Sequence, residues 1–285
     1  MKTDNLFRNS SLGIIWLWLG IFALVPNLLV LITSLLEQGD SELIRLQLSF
    51  NSYLALFNTA YLRIFWHSFY IAGVCTVICL LIGYPFAYIL ARSLHRYKGI
   101  LLLLVMIPFW TSSLIRSYAI IAIIKTKGIL NSLLLWLGLI HQPLHLLYSR
   151  TAVLISLVYS LLPFMILPLY ANIEKLDSRL LDAARDLGAN YLRVFYKIVL
   201  PLTLPGIIAG SMLVFLPAMS MFFIPDLLGG SKTMLVGNLI QNQFLAARNW
   251  PVGSSVSILL TLLMGLMLLT YWHIAKRSKT RQELL

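Results

Sequence analysis

Residues 173–201 lie between two long apolar runs and read IEKLDSRLLDAARDLGANYLRVFYKIVLP. In the first half of this segment Leu and Ala recur at helical spacing among charged residues. That pattern predicts an amphipathic helix that Ser178 caps and that runs through Leu187. The predicted apolar face consists of Leu180, Leu181, Ala184 and Leu187.

The second half of the segment predicts a turn and another short helix. Gly188 tolerates the positive φ that commonly ends a helix. Asn190 is a favoured capping residue for a helix over 191–200, and Pro201 is expected to stop that helix before the next apolar run. The whole segment is therefore predicted to be a helix-turn-helix bracket held against the inner face of a membrane.

The composition of the chain requires a membrane. Of its 285 residues 59% are hydrophobic and 11% are charged, less than half of the roughly 25% charged share of a soluble domain. The mean hydropathy of +0.86 excludes disordered chains, collagen-like chains and nucleic-acid-binding tails, because those classes need polar or repetitive composition. The protein is therefore predicted to be integral to a membrane.

Apolar runs long enough to cross about 30 Å of hydrocarbon as helices predict six spans. The predicted spans are 12–36, 64–91, 100–124, 151–173, 202–225 and 252–275. The first run is too long for a secretory signal and has no small-residue cleavage site after it, so we interpret it as a helix. A shorter run at 129–140 is predicted to lie at the membrane interface. The fold class is therefore all-α.

The net charge of +12 indicates the topology. Fourteen Lys and Arg residues flank one side of the predicted spans and seven flank the other. Loops rich in Lys and Arg stay in the cytoplasm, so both termini are predicted to be cytoplasmic. The basic excess is thus a membrane signal, and we expect no nucleic-acid partner.

The predicted spans divide the chain into three parts. Residues 1–63 comprise a tail, the first span and an external segment, residues 64–275 form the core that contains the loop 173–201, and residues 276–285 form a basic tail.

One motif in this loop has a spacing specific to one class of protein. It reads Asp182-Ala183-Ala184, three residues, Gly188, nine residues, Ile198, one residue, Leu200-Pro201. The pattern resembles the EAA loop of ABC importer permeases, with Asp182 in place of the usual Glu. A simpler interpretation is that Ala183, Ala184 and Gly188 only permit close helix packing, which a docking surface also requires.

The resemblance implies a fold and a set of partners. The fold would be that of a type I ABC importer permease in a bacterial inner membrane. The EAA loop would dock into a groove of the ATP-binding subunit. The expected partners are two copies of that ATPase, a second homologous permease and a periplasmic binding protein. ATP and Mg²⁺ would be bound by the ATPase, and this chain would bind no cofactor.

Several further runs resemble the spermidine and putrescine permeases of this family. They are 108–116, 161–165, 173–177, 201–210 and 249–251. A permease of the same family for a different solute is the main alternative, because the EAA loop is indifferent to substrate. A secondary carrier is more distant, because the predicted spans contain no Asp or Glu before Asp226 at the end of the fifth span.

We expect neither an enzyme nor a metal site. The run Gly229-Gly230-Ser231-Lys232-Thr233 is not a Walker A loop, because Ser precedes its Lys and the run lies on the external side. His141 and His145 have Pro143 between them and no carboxylate or Cys nearby, so they do not predict a zinc site.

Four residues are candidates for a substrate pathway. Arg116 is the only formal charge well within a predicted span, and charge there is costly. We predict that it pairs with Asp226, or with an acid of the partner permease, near the outer gate; alternatively it reaches lipid headgroups. For a polycation, aromatic faces offer weak attraction, and Trp110, beside Pro108, is the first candidate, with Tyr53 and Asp226 as weaker ones. Packing or anchoring at the interface is the alternative for both aromatics.

Overall fold

The computed structural model of the chain describes residues 2–39, 44–230 and 233–282, and it describes side chains from residue 11 to residue 273 within those ranges. Ser231 and Lys232 of the glycine-rich run lie outside the described residues. The same holds for the end of the predicted basic tail 276–285 and for the side chains of that tail.

The described residues contain six helical stretches that are long and apolar enough to cross a membrane. They are Ser11–Ser34, Thr59–Arg92, Ser113–Trp136, Arg150–Ile173, Tyr191–Ser220 and Trp250–His273. Each overlaps one of the six predicted spans, which confirms the helical membrane fold. One short hairpin, which the sequence did not predict, interrupts the helical pattern.

The chain separates into two compact units. The first comprises the residues up to Arg63 together with Leu239–Leu263, and the second comprises Ile64–Asn238 and the residues from Met264 onward. The elements before residue 59 are α1 (Lys2–Leu19), a π-helical turn (Gly20–Leu24), α2 (Val25–Ser34), β1 (Leu36–Glu37), β2 (Arg45–Leu48) and α3 (Asn51–Ala55). The two strands pair antiparallel, with Leu36 opposite Leu48.

From residue 59 onward, the elements that the structure describes are all helical. In chain order they are α4 (Thr59–Arg92), α5 (His95–Trp110), α6 (Ser113–Ile124), α7 (Ile129–Trp136), α8 (Arg150–Ile173), α9 (Ser178–Asp186), α10 (Tyr191–Val194), a π-helical turn (Phe195–Val199), α11 (Leu200–Ser220), a π-helical turn (Pro225–Gly229), α12 (Val236–Leu245) and α13 (Trp250–Gln282).

The core of the second unit is the packing of α8 against α11. Two glycines of α11 allow a backbone approach that no larger residue would permit. A Cβ on Gly206 would lie 2.7 Å from Cβ of Asn172 and 3.1 Å from the carbonyl oxygen of Pro168. A Cβ on Gly210 would lie 2.8 Å from Sδ of Met165. These two helices therefore form the close-packed centre of the second unit.

The third predicted span, 100–124, is wrong as one continuous helix. α5 ends at Trp110, Thr111 is extended, and α6 begins at Ser113. Pro108 removes one helical hydrogen bond, and the Thr111 hydroxyl donates to the Pro108 carbonyl at 2.9 Å. The apolar stretch Ser113–Trp136 is itself divided between α6 and α7 by a turn at residues 125–128.

Pro201 does not stop a helix, contrary to the prediction. Before it the helix widens into the π-helical turn Phe195–Val199, and the Leu200 N–H bonds to the carbonyl of Phe195, five residues back. Proline lacks an N–H, and its ring clashes with the carbonyl four residues earlier. We infer that widening the turn moves this carbonyl away, so that α10, the turn and α11 form one continuous helix. The same device precedes Pro26, where the Val25 N–H bonds to the Gly20 carbonyl.

The fifth predicted span, 202–225, ends earlier than predicted. α11 stops at Ser220, and Met221 adopts an extended conformation. Asp226 therefore does not extend this helix but lies in the π-helical turn Pro225–Gly229.

Candidate functional site

The predicted bracket is present, with one change in its capping. Oδ1 of Asp177 accepts the N–H of Arg179 at 2.9 Å, so Asp177, and not Ser178, caps α9. Oδ1 of Asn190 accepts the N–H of Arg193 at 2.9 Å, which confirms the second predicted cap. Asp177 takes the role because its backbone is extended while Ser178 is already helical.

The turn between α9 and α10 depends on Gly188. This residue has a φ of +80°, as the sequence predicted, and the N–H groups of Gly188 and Ala189 bond to the carbonyls of Arg185 and Ala184 at 2.8 and 3.0 Å. Such a pair of bonds satisfies the last carbonyls of a helix when the next residue is left-handed. The turn therefore fixes the angle between the two helices of the bracket.

The inner side of the bracket is a small apolar core. Leu181 of α9 is buried together with Val194 and Val199. Partly buried side chains complete this core: Tyr88, Leu176, Ala184, Ala189, Phe195 and Ile198. Because Tyr88 belongs to α4, the bracket packs on a membrane-spanning helix as well as on itself.

The outer side of the bracket leaves apolar groups exposed, so the single apolar face predicted for α9 is wrong. Leu181 points inward, whereas Leu180 is exposed and Leu187 has 89% of its surface accessible. Tyr191 and Leu192 of α10 are exposed beside them in sequence. The face is divided because Val194 and Val199 cover Leu181 alone, whereas Leu180 and Leu187 are left exposed.

Asp182 is placed where a partner could reach it. Its side chain is 64% accessible, and Oδ1 lies 3.3 Å from Nη1 of Arg185. The Arg185 guanidinium also lies 5.0 Å from the ring centroid of Tyr191. An exposed ion pair of this kind contributes little to stability, so Asp182 can exchange its partner readily.

Two buried hydroxyls link α4 to the helix that follows the bracket. The hydroxyls of Tyr84 and Thr203 lie 2.9 Å apart, and Thr203 donates its own hydrogen to the Val199 carbonyl at 2.9 Å. Tyr84 therefore donates to Thr203. The ring of Phe195, in the π-helical turn, meets the Tyr84 ring edge-on at 5.6 Å. The sequence pattern did not predict this pair, although a Tyr and a Thr inside apolar spans are a usable signal.

An ion pair holds the start of the bracket segment. Nζ of Lys98 lies 3.1 Å from Oε1 of Glu174, which joins the first turn of α5 to the end of α8. The Tyr170 hydroxyl and then the Lys98 ammonium lower the pKa of Glu174, since both stabilise its charged form. This pair was also missed, because residues 76 positions apart give no local signal.

The predicted pairing of Arg116 with Asp226 is wrong in this structure. Nη2 of Arg116 donates to the Ser113 hydroxyl at 3.0 Å, while Nε and Nη1 are buried and find no hydrogen-bond partner among the described residues. The carboxylate of Asp226 accepts the side-chain amide of Asn238 instead, and that amide also donates to the Phe222 carbonyl. The π-helical turn at Pro225–Gly229 packs on α6, the helix that carries Arg116, but the carboxylate of Asp226 is bound by Asn238. The alternative pairing of Arg116 with an acid of the partner permease stays a prediction.

The two aromatic candidates lie in different environments. Trp110 ends α5 and is 77% exposed, so its ring is available to a partner, to lipid or to a passing cation. The Tyr53 hydroxyl lies 2.8 Å from the hydroxyl of Ser34, which gives Tyr53 a structural contact within the first unit. Trp110, Arg116 and Asp226 belong to the second unit.

Comparison with known proteins gives matches over nearly the whole chain. Residues 83–279 match the family described as "Binding-protein-dependent transport system inner membrane component". The chain is 50% identical to the spermidine/putrescine transport system permease protein PotB of Haemophilus influenzae, over 99% of this chain and 98% of the relative. It is 48% identical to PotB of Escherichia coli K12, over 94% and 97% of the two chains.

A solved structure has the same fold. A chain of a bacterial alginate ABC transporter, in complex with an alginate pentasaccharide-bound periplasmic protein, superposes with a TM-score of 0.77. The superposition covers 97% of this chain and 96% of the other, at 17% sequence identity. At that identity the likeness establishes the fold alone.

Proposed function

The chain belongs to the family of binding-protein-dependent inner-membrane transport components, and from this membership we propose that it is the permease subunit of an ATP-driven importer of polyamines, spermidine and putrescine. The single observation that supports this substrate class is the 50% identity to a spermidine/putrescine permease along essentially the full length of both chains. Both termini lie in the cytoplasm, as the distribution of Lys and Arg indicates.

ATP hydrolysis belongs to a separate chain, two copies of which bind ATP and Mg²⁺. The exposed side of the bracket, Leu180, Ala183, Leu187 and Tyr191, forms the surface that docks on this ATPase. Its small and apolar side chains suit insertion into a groove, and Asp182 at its edge is free to change partners. Closure of the ATPases pushes the bracket and shifts the bundle between inward-facing and outward-facing states.

The substrate path runs between this chain and a second homologous permease. Trp110 offers a cation–π face at the outer end of α5, and Asp226 offers a carboxylate oxygen beyond the one that Asn238 holds. Weak contacts of this kind, each contributing roughly 0.5–2 kcal/mol, attract a polycation without trapping it. A periplasmic binding protein supplies the remaining affinity.

Uptake of labelled polyamines tests the proposal. In a strain that lacks its own polyamine importers, expression of this chain with its ATPase, second permease and binding protein should cause accumulation of radiolabelled spermidine or putrescine, and omission of this chain should abolish it. Accumulation of another solute in place of polyamines would favour a different substrate for the same machinery. Accumulation without the ATPase would indicate a secondary carrier.

The Tyr84–Thr203 pair gives a second test, because its two halves are not equivalent. Thr203→Val leaves the Tyr84 hydroxyl buried without an acceptor, which costs about 1–3 kcal/mol, whereas Tyr84→Phe loses one hydrogen bond of about 1 kcal/mol. We expect Thr203→Val to lower the melting temperature of the complex and the polyamine imported per ATP more than Tyr84→Phe does. The double variant should recover part of the loss.

Tyr88→Phe is the matched control for this pair. The Tyr88 hydroxyl lies one turn along α4 from Tyr84 and makes no hydrogen bond within the described residues. Its removal should leave the melting temperature and the polyamine imported per ATP near their wild-type values. If Tyr84→Phe, Thr203→Val and the control lowered these two quantities equally, the Tyr84–Thr203 hydrogen bond would have no specific role in stability or transport.

A further inference from the structure

On the side that the proposed topology makes external, the second unit carries three basic residues that lie far in sequence from any acidic residue. No Asp or Glu occurs between residues 99 and 173. Lys125 and Lys127 are exposed in the turn between α6 and α7, and Arg150 is exposed at the first position of α8. None of these three forms an ion pair with any residue that the structure describes. Their charge is therefore available to a partner.

The backbone that presents the two lysines is fixed in place. A Cβ on Gly128 would lie 2.5 to 2.8 Å from three carbonyl oxygens, so the turn closes tightly upon itself. Asn131 is only 1% exposed, and its amide nitrogen donates to the carbonyls of Lys125 and Leu144. Its oxygen accepts the Leu144 N–H at 2.8 Å. Asn131 thus ties the lysine turn to the loop between α7 and α8.

The fixed lysine turn, and Arg150 at the end of the loop to which Asn131 ties it, are unsuited as a substrate site. A polyamine is a polycation, which Lys125, Lys127 and Arg150 repel. An anionic partner fits instead, and we expect a binding protein that holds a polycation to carry carboxylates around the cleft from which it delivers the substrate. Opposite charges at such a contact raise the association rate by steering.

We propose that Lys125, Lys127 and Arg150, which we term the basic platform, form the docking surface for the acidic cleft rim of the loaded periplasmic binding protein. This inference rests on the proposed function, because it requires an importer supplied by a binding protein.

The test measures ATP hydrolysis by the complete complex against the concentration of its own spermidine-loaded binding protein. The complex is placed in nanodiscs of zwitterionic phosphatidylcholine. Lys125→Gln combined with Lys127→Gln should raise the half-saturating concentration about tenfold at low salt. The wild-type value should rise with added NaCl as charges are screened, and the value for the double variant should change less. Co-purification of the ATPase establishes that each variant assembles.

The matched control is Arg45→Gln combined with Arg63→Gln, which removes two exposed cations of the first unit and should change the half-saturating concentration by less than about twofold. An equal effect in control and test would overturn the basic platform, as would an unchanged value in the test variant. An effect that appears with anionic lipid and vanishes in phosphatidylcholine would assign the lysines to lipid headgroups. Wild-type complex that no binding protein stimulates would overturn the proposed function itself.

Discussion

Replacing Gly188 with Val should lower polyamine uptake at least about tenfold and release the ATPase from the membrane complex. At a φ of +80° a residue with a Cβ is strained by roughly 1–2 kcal/mol, and branching at Cβ adds to this. Every 1.4 kcal/mol corresponds to about a factor of ten in population. Apart from Gly188 and its two chain neighbours, no atom of the described residues lies within 4 Å of the position that a Cβ would occupy, so the effect is one of backbone geometry and not of crowding.

Gly138→Val is the matched control for this prediction. Gly138 has a φ of +68° and also has open space around its Cβ position, but it lies in the loop after α7, away from the bracket. The same strain there should leave the co-purification of the ATPase intact. Gly188→Asn should be milder than Gly188→Val, since Asn adopts left-handed conformations more readily. If Gly188→Val retained both ATPase and uptake, the docking role of the bracket would be excluded.

Replacing Gly206 with Leu should destroy the close packing of α8 on α11. Its Cβ would press on the Pro168 carbonyl, which is backbone and cannot rotate away, and on Cβ of Asn172. Overpacking of a core commonly costs about 1–3 kcal/mol, and a contact with backbone should reach at least the upper end of that range. We expect a large loss of folded protein in membranes and a lower melting temperature in detergent.

Gly73→Leu provides the comparison, because Gly73 lies in the membrane-spanning helix α4 and, apart from the adjacent backbone of that helix, no described atom lies within 4 Å of its Cβ position. This variant should be produced at wild-type amounts with an unchanged melting temperature. If Gly206→Leu were as stable as Gly73→Leu, the distance between α8 and α11 would have to be larger than the structure gives.

The spans and the bracket could be predicted because each depends on local signals. Hydrocarbon thickness sets the length of an apolar run, and Gly188 and Asn190 act on the turns that contain them. Pro201 misled the prediction because the rule that proline stops a helix assumes regular α-helical bonding, which the widened turn before it abandons. The break at Thr111 was missed because the apolar run continues through it and hydropathy does not record backbone direction.

The candidate site could be predicted only in part. The motif residues could be found from their spacing, but nothing in the order of residues reveals that Leu181 packs inward while Leu187 is exposed. That division depends on where Val194 and Val199 meet α9. The pairing of Arg116 with Asp226 was predicted from charge alone. In the structure the side-chain amide of Asn238 lies closer to the Asp226 carboxylate and donates a hydrogen bond to it. Contacts between distant elements, such as Tyr84 with Thr203, need the fold before they can be seen.

The π-helical turn at Phe195–Val199 also determines the rotation of α11 about its own axis. One surplus residue rotates everything after it by about 100° relative to a regular α-helix, since each residue accounts for 360°/3.6. For a bracket in its present position, a regular α-helix would direct Gly206 and Gly210 away from α8. The added rotation turns them toward it. The nine residues between Gly188 and Ile198 therefore determine which way the fifth span faces, as well as how far it stands from the bracket. A relative with one residue fewer in this interval would need another way to turn its glycines toward α8.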